Sequence, residues 1–80
     1  MISAVIITYN EERIIARSID SLKRVVDEVI IIDSFSTDRT KQICLEKNVR
    51  FVEHKFDGHI EQKNWAKSIA SFDYVLSLDA

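Results

Sequence analysis

Four short, largely apolar runs punctuate the chain: Ala4–Ile7, Val29–Ile32, Arg50–Glu53 and Tyr74–Leu78. The first two are continuously apolar, the pattern of parallel strands covered on both faces. Segments of helical period lie between the runs. From Asn10 to Val26, residues Ile15, Ile19, Leu22 and Val26 fall at spacings of four, three and four and form one stripe. Thr8 and Glu11 stand three apart ahead of it, the spacing of a capping box. From Thr37 to Lys47, residues Thr40, Ile43, Cys44 and Lys47 share a face, with Ser36 or Thr37 in the capping position. From His59 to Ala70, residues Trp65, Ala66, Ile69 and Ala70 make a third apolar face. The order β-α-β-α-β-α-β predicts an α/β fold with an open, mostly parallel, Rossmann-like sheet. No linker, repeat or low-complexity tract interrupts it.

In such sheets ligands bind outside the carboxyl ends of the strands. That rule selects Thr8-Tyr9-Asn10-Glu11, Asp33-Ser34, His54 and Asp79. Asp33 reads as the first exposed residue of a dense polar turn that continues through Ser36, Thr37, Asp38 and Thr40. The turn after the first run reads TYNEER, which is neither G-x-G-x-x-G nor a P-loop. With a single glycine in the chain, no glycine-rich phosphate loop is available. The first turn offers an aromatic ring, an amide and carboxylates instead. This combination suits a nucleobase, since one stacked base–aromatic contact is worth about 1–3 kcal/mol.

Composition narrows the classes further. The chain has 80 residues, enough for one small domain or a piece of one, with 46% hydrophobic and 30% charged residues. A net charge of −2 without a basic block excludes a nucleic-acid footprint. The apolar runs are far too short to span a membrane, and no signal peptide is visible. The single cysteine, Cys44, cannot form an internal disulfide and fits a reducing cytoplasm.

The stretches SAVIITYNEE, EVIIIDSFSTDRT, QKNWA and YVLSLDA, in this order, resemble the family-2 inverting glycosyltransferases with their GT-A fold. Asp-Ser-x-Ser-Thr-Asp and the Gln-Lys-Asn segment look most like the bacterial lipopolysaccharide-core members. The resemblance implies that residues 1–80 are the N-terminal nucleotide-sugar-binding part of a transferase domain cut off after Ala80. It implies a UDP-sugar donor and a saccharide or glycolipid acceptor. It also implies a cytoplasmic enzyme, associated peripherally with the membrane as a whole protein. Nucleotide binding would fall to Thr8, Tyr9, Asn10, Glu11, Asp33, Ser34 and Lys63, with Tyr9 stacking on uracil and Lys63 facing the nucleotide. Asp79, the first acid of an expected Asp-x-Asp, would hold Mg²⁺ or Mn²⁺, and the general base is expected beyond Ala80. The motif that commonly reads Asp-Asp-Gly-Ser is here Asp33-Ser34-Phe35-Ser36, which leaves open whether Asp33 or Ser34 reads the base.

Simpler roles compete at several positions. Asp38 suits a turn or helix cap, and Glu11 and Glu12 suit a first helical turn. Arg39 and Lys63 suit solvated helix faces, and Trp65 and Cys44 suit the core. His54 and His59 lack the further ligands a zinc site needs. The rival functions are a receiver-type module, a sugar-nucleotide pyrophosphorylase and a non-catalytic α/β nucleotide-binding domain. The receiver wants its acceptor aspartate after the third strand, where Glu53-His54 stands. The pyrophosphorylase wants a glycine-rich first loop.

Overall fold

The computed structural model describes the backbone of residues 1–56, 58–72 and 74–79, with the side chains of His59, Lys63 and residues 77–79 outside the description. Its elements run β1 (Ile2–Thr8), α1 (Ile15–Leu22), β2 (Glu28–Asp33), α2 (Thr40–Glu46), β3 (Arg50–Glu53), α3 (His59–Ile69) and β4 (Tyr74–Asp79). The strands form one parallel sheet in the order β3-β2-β1-β4. The α/β reading and the interior place of the first strand are therefore observed. The receiver-type alternative fails on topology, because that order puts β3 beside β1, where β4 stands here.

The continuous apolar runs have a direct cause. Ile6, Val29 and Ile31 face α1 and α2, packing with Ile15, Ile19 and Cys44. Val5, Ile30 and Ile32 face the opposite way and pack with Ala66 of α3. Side chains alternate across a strand, so a sheet covered on both faces needs apolar residues at every position. Each fully buried isoleucine contributes about 1.5–3 kcal/mol. The predicted helical stripes are the ones that pack: Leu22 and Val26 join the first cluster, and Trp65, Ile69 and Ala70 join the second.

Two helix starts differ from expectation. The first helix begins at Ile15 and not Asn10, because Asn10 adopts φ 52, a left-handed conformation that no α-helix contains. The Thr8–Glu11 capping box does not form. The Thr8 hydroxyl donates to Asp33 at 2.6 Å, and the N-cap residue Ile14 makes no side-chain cap bond. The second helix begins at Thr40, and neither Ser36 nor Thr37 caps it. Asp38 takes that role, accepting from the Thr40 amide at 2.9 Å and the Thr40 hydroxyl at 2.6 Å. The one glycine, Gly58, precedes α3 at φ 122, where an added Cβ would meet Glu61 Oε2 at 2.7 Å.

Candidate nucleotide site

At the carboxyl end of the sheet, Thr8 lies beside Asp33, Asp33 beside Glu53, and Ile7 beside Asp79 in strand register. The topology thus brings the segments after β1, β2 and β4 to one edge.

Asp33 is not the exposed carboxylate that the sequence suggests; it is fully buried, at 0% exposure. Its Oδ1 accepts from Thr8 Oγ1 and Ser36 Oγ, both at 2.6 Å, and its Oδ2 accepts from the Ser36 amide at 2.8 Å. A buried charge is tolerated only when hydrogen-bonded in this way. The carboxylate closes the turn Asp33-Ser34-Phe35-Ser36 on itself and ties it to the end of β1.

The same turn grips the loop after β1 from end to end. The Asn10 amide donates to Ser36 Oγ (2.8 Å), the Glu11 amide to Thr40 Oγ1 (2.8 Å) and the Glu12 amide to Asp38 Oδ2 (3.1 Å). In return Asn10 Oδ1 accepts from the amides of Thr37 (2.8 Å) and Asp38 (3.3 Å). This reciprocal latch is what the dense polar turn is for: its hydroxyls and acids satisfy backbone groups of two loops that no helix or ladder serves. Some desolvation raises the Asp38 carboxyl, but the bonds from the Thr40 hydroxyl and amide and the Glu12 amide outweigh it and hold the group below its ordinary value. Beneath the latch, Cys44 is pushed up to about 11 by burial, with the Asp33 charge adding to it.

The predicted residues therefore separate by role. Thr8 and Asp33 are interior clamps, and Asn10 is a latch. Tyr9 is left with 56% of its surface exposed, next to a rigid backbone. The hydroxyl of Ser34 is buried without a hydrogen-bond partner among the described residues. The Lys63 and Asp79 side chains lie outside the described residues. Among those described, no three His, Cys, Asp or Glu side chains form a metal-binding group.

His54, also selected by the strand-end rule, lies at the same edge, its amide donating to the Asp33 carbonyl at 2.9 Å. Sequence reasoning missed what its ring does. The His54 ring stacks on Trp65 with centroids 3.9 Å apart, and its Nδ1 bonds Gln62 Oε1 at 2.9 Å. This engagement accounts for His54 without zinc. Gln62 is fully buried, and its Nε2 has no hydrogen-bond partner among the described residues. The Asp-x-x-Ser spacing of Asp33 and Ser36 was the available signal for the clamp. Nothing local announces the pairing of His54 with Gln62 and Trp65.

The chain matches the family model for glycosyl transferase family 2 over residues 3–80. It is 44% identical over 79 residues to an uncharacterised glycosyltransferase of Rickettsia felis, covering 99% of this chain and 28% of that protein. It is 33% identical over 84 residues to the lipopolysaccharide core biosynthesis glycosyltransferase LpsC of Rhizobium meliloti, covering 99% of this chain and 31% of that one. Among solved structures it resembles glucosyl-3-phosphoglycerate synthase from Mycobacterium tuberculosis in complex with Mn²⁺, UDP and glucosyl-3-phosphoglycerate. There the TM-score is 0.85 and the identity 31%, over 99% of this chain and 33% of the synthase. The same synthase has been crystallised with Mg²⁺ and UDP. The chain thus spans less than a third of the curated relatives named here.

Proposed function

The chain belongs to glycosyl transferase family 2, and from that premise we propose that it is the donor-binding part of an inverting glycosyltransferase. The reaction moves a sugar from a UDP-sugar to a saccharide or glycolipid acceptor. The observation that carries this reading is the exposed Tyr9 ring on a loop fixed by the latch to the turn after β2. A flat apolar face on a preorganised backbone binds a base without first having to order the loop.

In this reading Tyr9 stacks on the base, and Thr8, Asn10, Glu11, Asp33 and Ser34 hold the platform, Ser34 through its amide bond to the Thr8 carbonyl. Lys63 answers the negative charge of the diphosphate. Asp79 ends β4 in register with Ile7, at the sheet edge where Tyr9 and Ser34 also lie. An aspartate there fits a hard divalent ion, which takes oxygen ligands and is commonly held by one or two carboxylates plus substrate phosphates. When bound, Mg²⁺ or Mn²⁺ supplies charge stabilisation to the leaving diphosphate. The general base that deprotonates the acceptor hydroxyl is assigned beyond these 80 residues, in keeping with the share of its relatives that the chain covers. The LpsC similarity favours a lipopolysaccharide-core or other envelope acceptor. A free, buried Cys44 agrees with a reducing cytoplasm, with the whole protein working at the inner membrane face. Among the described residues no helix is long and apolar enough to cross a membrane.

The test is calorimetric titration of the complete gene product with UDP and Mn²⁺. Tyr9→Ala is expected to weaken binding by about 1–3 kcal/mol, roughly 5- to 150-fold, while Tyr9→Phe changes little. Equal affinity of wild type and Tyr9→Ala would reduce Tyr9 to a surface residue and remove the main support for this reading.

A further inference from the structure

Among the described residues, three other than glycine have left-handed backbones: Asn10, Phe35 and Asn48. Two are asparagines, the side chain that tolerates this region best. The third, Phe35 at φ 59, is the outlier. A bulky residue there is strained, and strain of this kind persists only where the surroundings enforce it. The surroundings are visible: both the amide and the hydroxyl of Ser36 are anchored on Asp33, which folds the intervening residues into the turn. Burial of the ring does not offset the strain, because 54% of Phe35 is exposed. The backbone would be better served by glycine or asparagine, so the fold itself gives no reason for a phenyl ring.

Tyr9 supplies the reason. The Thr8 carbonyl accepts from the Ser34 amide at 3.0 Å, and the Asn10 amide donates to Ser36 Oγ at 2.8 Å. Tyr9 and Phe35 are therefore the middle residues of two short segments bonded together on both flanks. Each presents an aromatic ring that is more than half exposed, at the carboxyl edge of adjacent strands. Neither ring stacks on another among the described residues, where the aromatic stack is His54–Trp65. We infer that Phe35 is a second aromatic contact for the nucleoside half of the donor, making with Tyr9 a paired apolar surface that selects a flat base. This rests on the donor-site reading and adds to it a specificity-determining residue. The polar groups of the turn fix the backbone, and the two rings do the recognising.

The experiment uses the complete gene product with Phe35→Asn, which accepts the left-handed backbone and removes the ring, and Phe35→Trp, which keeps an aromatic face. UDP and inorganic pyrophosphate are each titrated with Mn²⁺ present, and thermal unfolding is recorded alongside. Phe35→Asn is expected to keep or raise the unfolding temperature and to weaken UDP roughly 5- to 150-fold. Pyrophosphate affinity should stay unchanged, and Phe35→Trp should hold UDP within a few-fold of wild type. Unchanged UDP affinity in Phe35→Asn overturns the inference while leaving the donor site standing. Equal weakening of UDP and pyrophosphate also overturns it, since the ring would then act through the loop and not on the base. So does a large fall in unfolding temperature, which would make Phe35 a packing residue. A wild-type protein that does not bind UDP at all defeats the donor-site reading and this one together.

Discussion

Replacing Asp33 by asparagine tests whether this acid organises the site or touches the ligand. The substitution keeps the shape and removes the charge from a side chain that is completely buried. Its three donors are the hydroxyls of Thr8 and Ser36 and the amide of Ser36, at 2.6, 2.6 and 2.8 Å. If the asparagine oxygen faces the two hydroxyls, its NH₂ is forced against the Ser36 amide, donor to donor. If it is flipped, the Ser36 hydroxyl, already accepting from the Asn10 amide at 2.8 Å, loses its own acceptor. Either way one buried donor is orphaned and the remaining bonds lose their charge assistance. The expected destabilisation is about 2–4 kcal/mol. For a chain of this size each kcal/mol moves the unfolding temperature by about 4–8 °C, so the shift is roughly 8–30 °C. Thr8→Val removes one donor and leaves the other two, and should cost about 1–2 kcal/mol. The pair should be non-additive in a double-mutant cycle, since both act on one carboxylate. Urea unfolding followed by circular dichroism measures these values, and UDP titration follows in parallel. If Asp33→Asn unfolds like wild type but loses UDP, Asp33 contacts the ligand directly and the clamp is incidental.

Glu28, at the opposite end of β2, accepts from Ser3 Oγ (2.8 Å), the Ser71 amide (3.0 Å) and Ser71 Oγ (2.8 Å). Burial raises its carboxyl, but the bonds from Ser71 and Ser3 and the Arg50 charge outweigh this and hold it below the ordinary 4.5. A depressed carboxyl stabilises the fold above that value and loses its contribution as pH falls through it. Urea unfolding at pH 7 and at about pH 3 should therefore show an acid loss that Glu28→Gln reduces, and an identical loss in the variant would refute the assignment. Cys44, pushed up to about 11, stays a neutral thiol at neutral pH, and its stabilising effect fades only as pH rises above the ordinary 9.0. A disulfide reagent at about pH 8 should leave it unmodified in the folded protein and label it promptly in urea, whereas rapid labelling of the native state would show that the core over α2 opens freely.

The elements that could be read from the sequence are those whose cause is local. Val29–Ile32 is continuously apolar because both faces of β2 are covered, and Ile15, Ile19 and Leu22 mark α1 by spacing alone. The rule that ligands sit at carboxyl strand ends then located Tyr9 and Asp33 at one edge, as the register shows. What could not be read depends mostly on partners far along the chain, such as Thr8, which lies 25 residues before Asp33. A carboxylate after an apolar run looks exposed, and only the donors Thr8 and Ser36 make its burial tolerable. The Thr8–Glu11 spacing matched a capping box, yet both groups were already engaged across the loops, by Asp33 and Thr40. Phe35 looked like a mere departure from a glycine, and its left-handed backbone is what turns that departure into a functional clue.

The latch also bears on how a diphosphate can be held here. In a phosphate-cradling loop, consecutive backbone amides after the first strand point at the anion. In this chain the amides of Asn10, Glu11 and Glu12 are each taken by a side chain of the next turn: Ser36, Thr40 and Asp38. Between these bonded segments, the rings of Tyr9 and Phe35 stand more than half exposed at this edge. These three amides are therefore not available to cradle a phosphate, and in the proposed function the loop after β1 serves the base. A diphosphate donor must have its charge met elsewhere, which is the physical reason the proposed function pairs Tyr9 and Phe35 with a divalent ion at Asp79 and with Lys63. The same division explains why the site needs no glycine-rich loop: its rigidity comes from side-chain hydroxyls and carboxylates that close the two turns against each other before any ligand arrives.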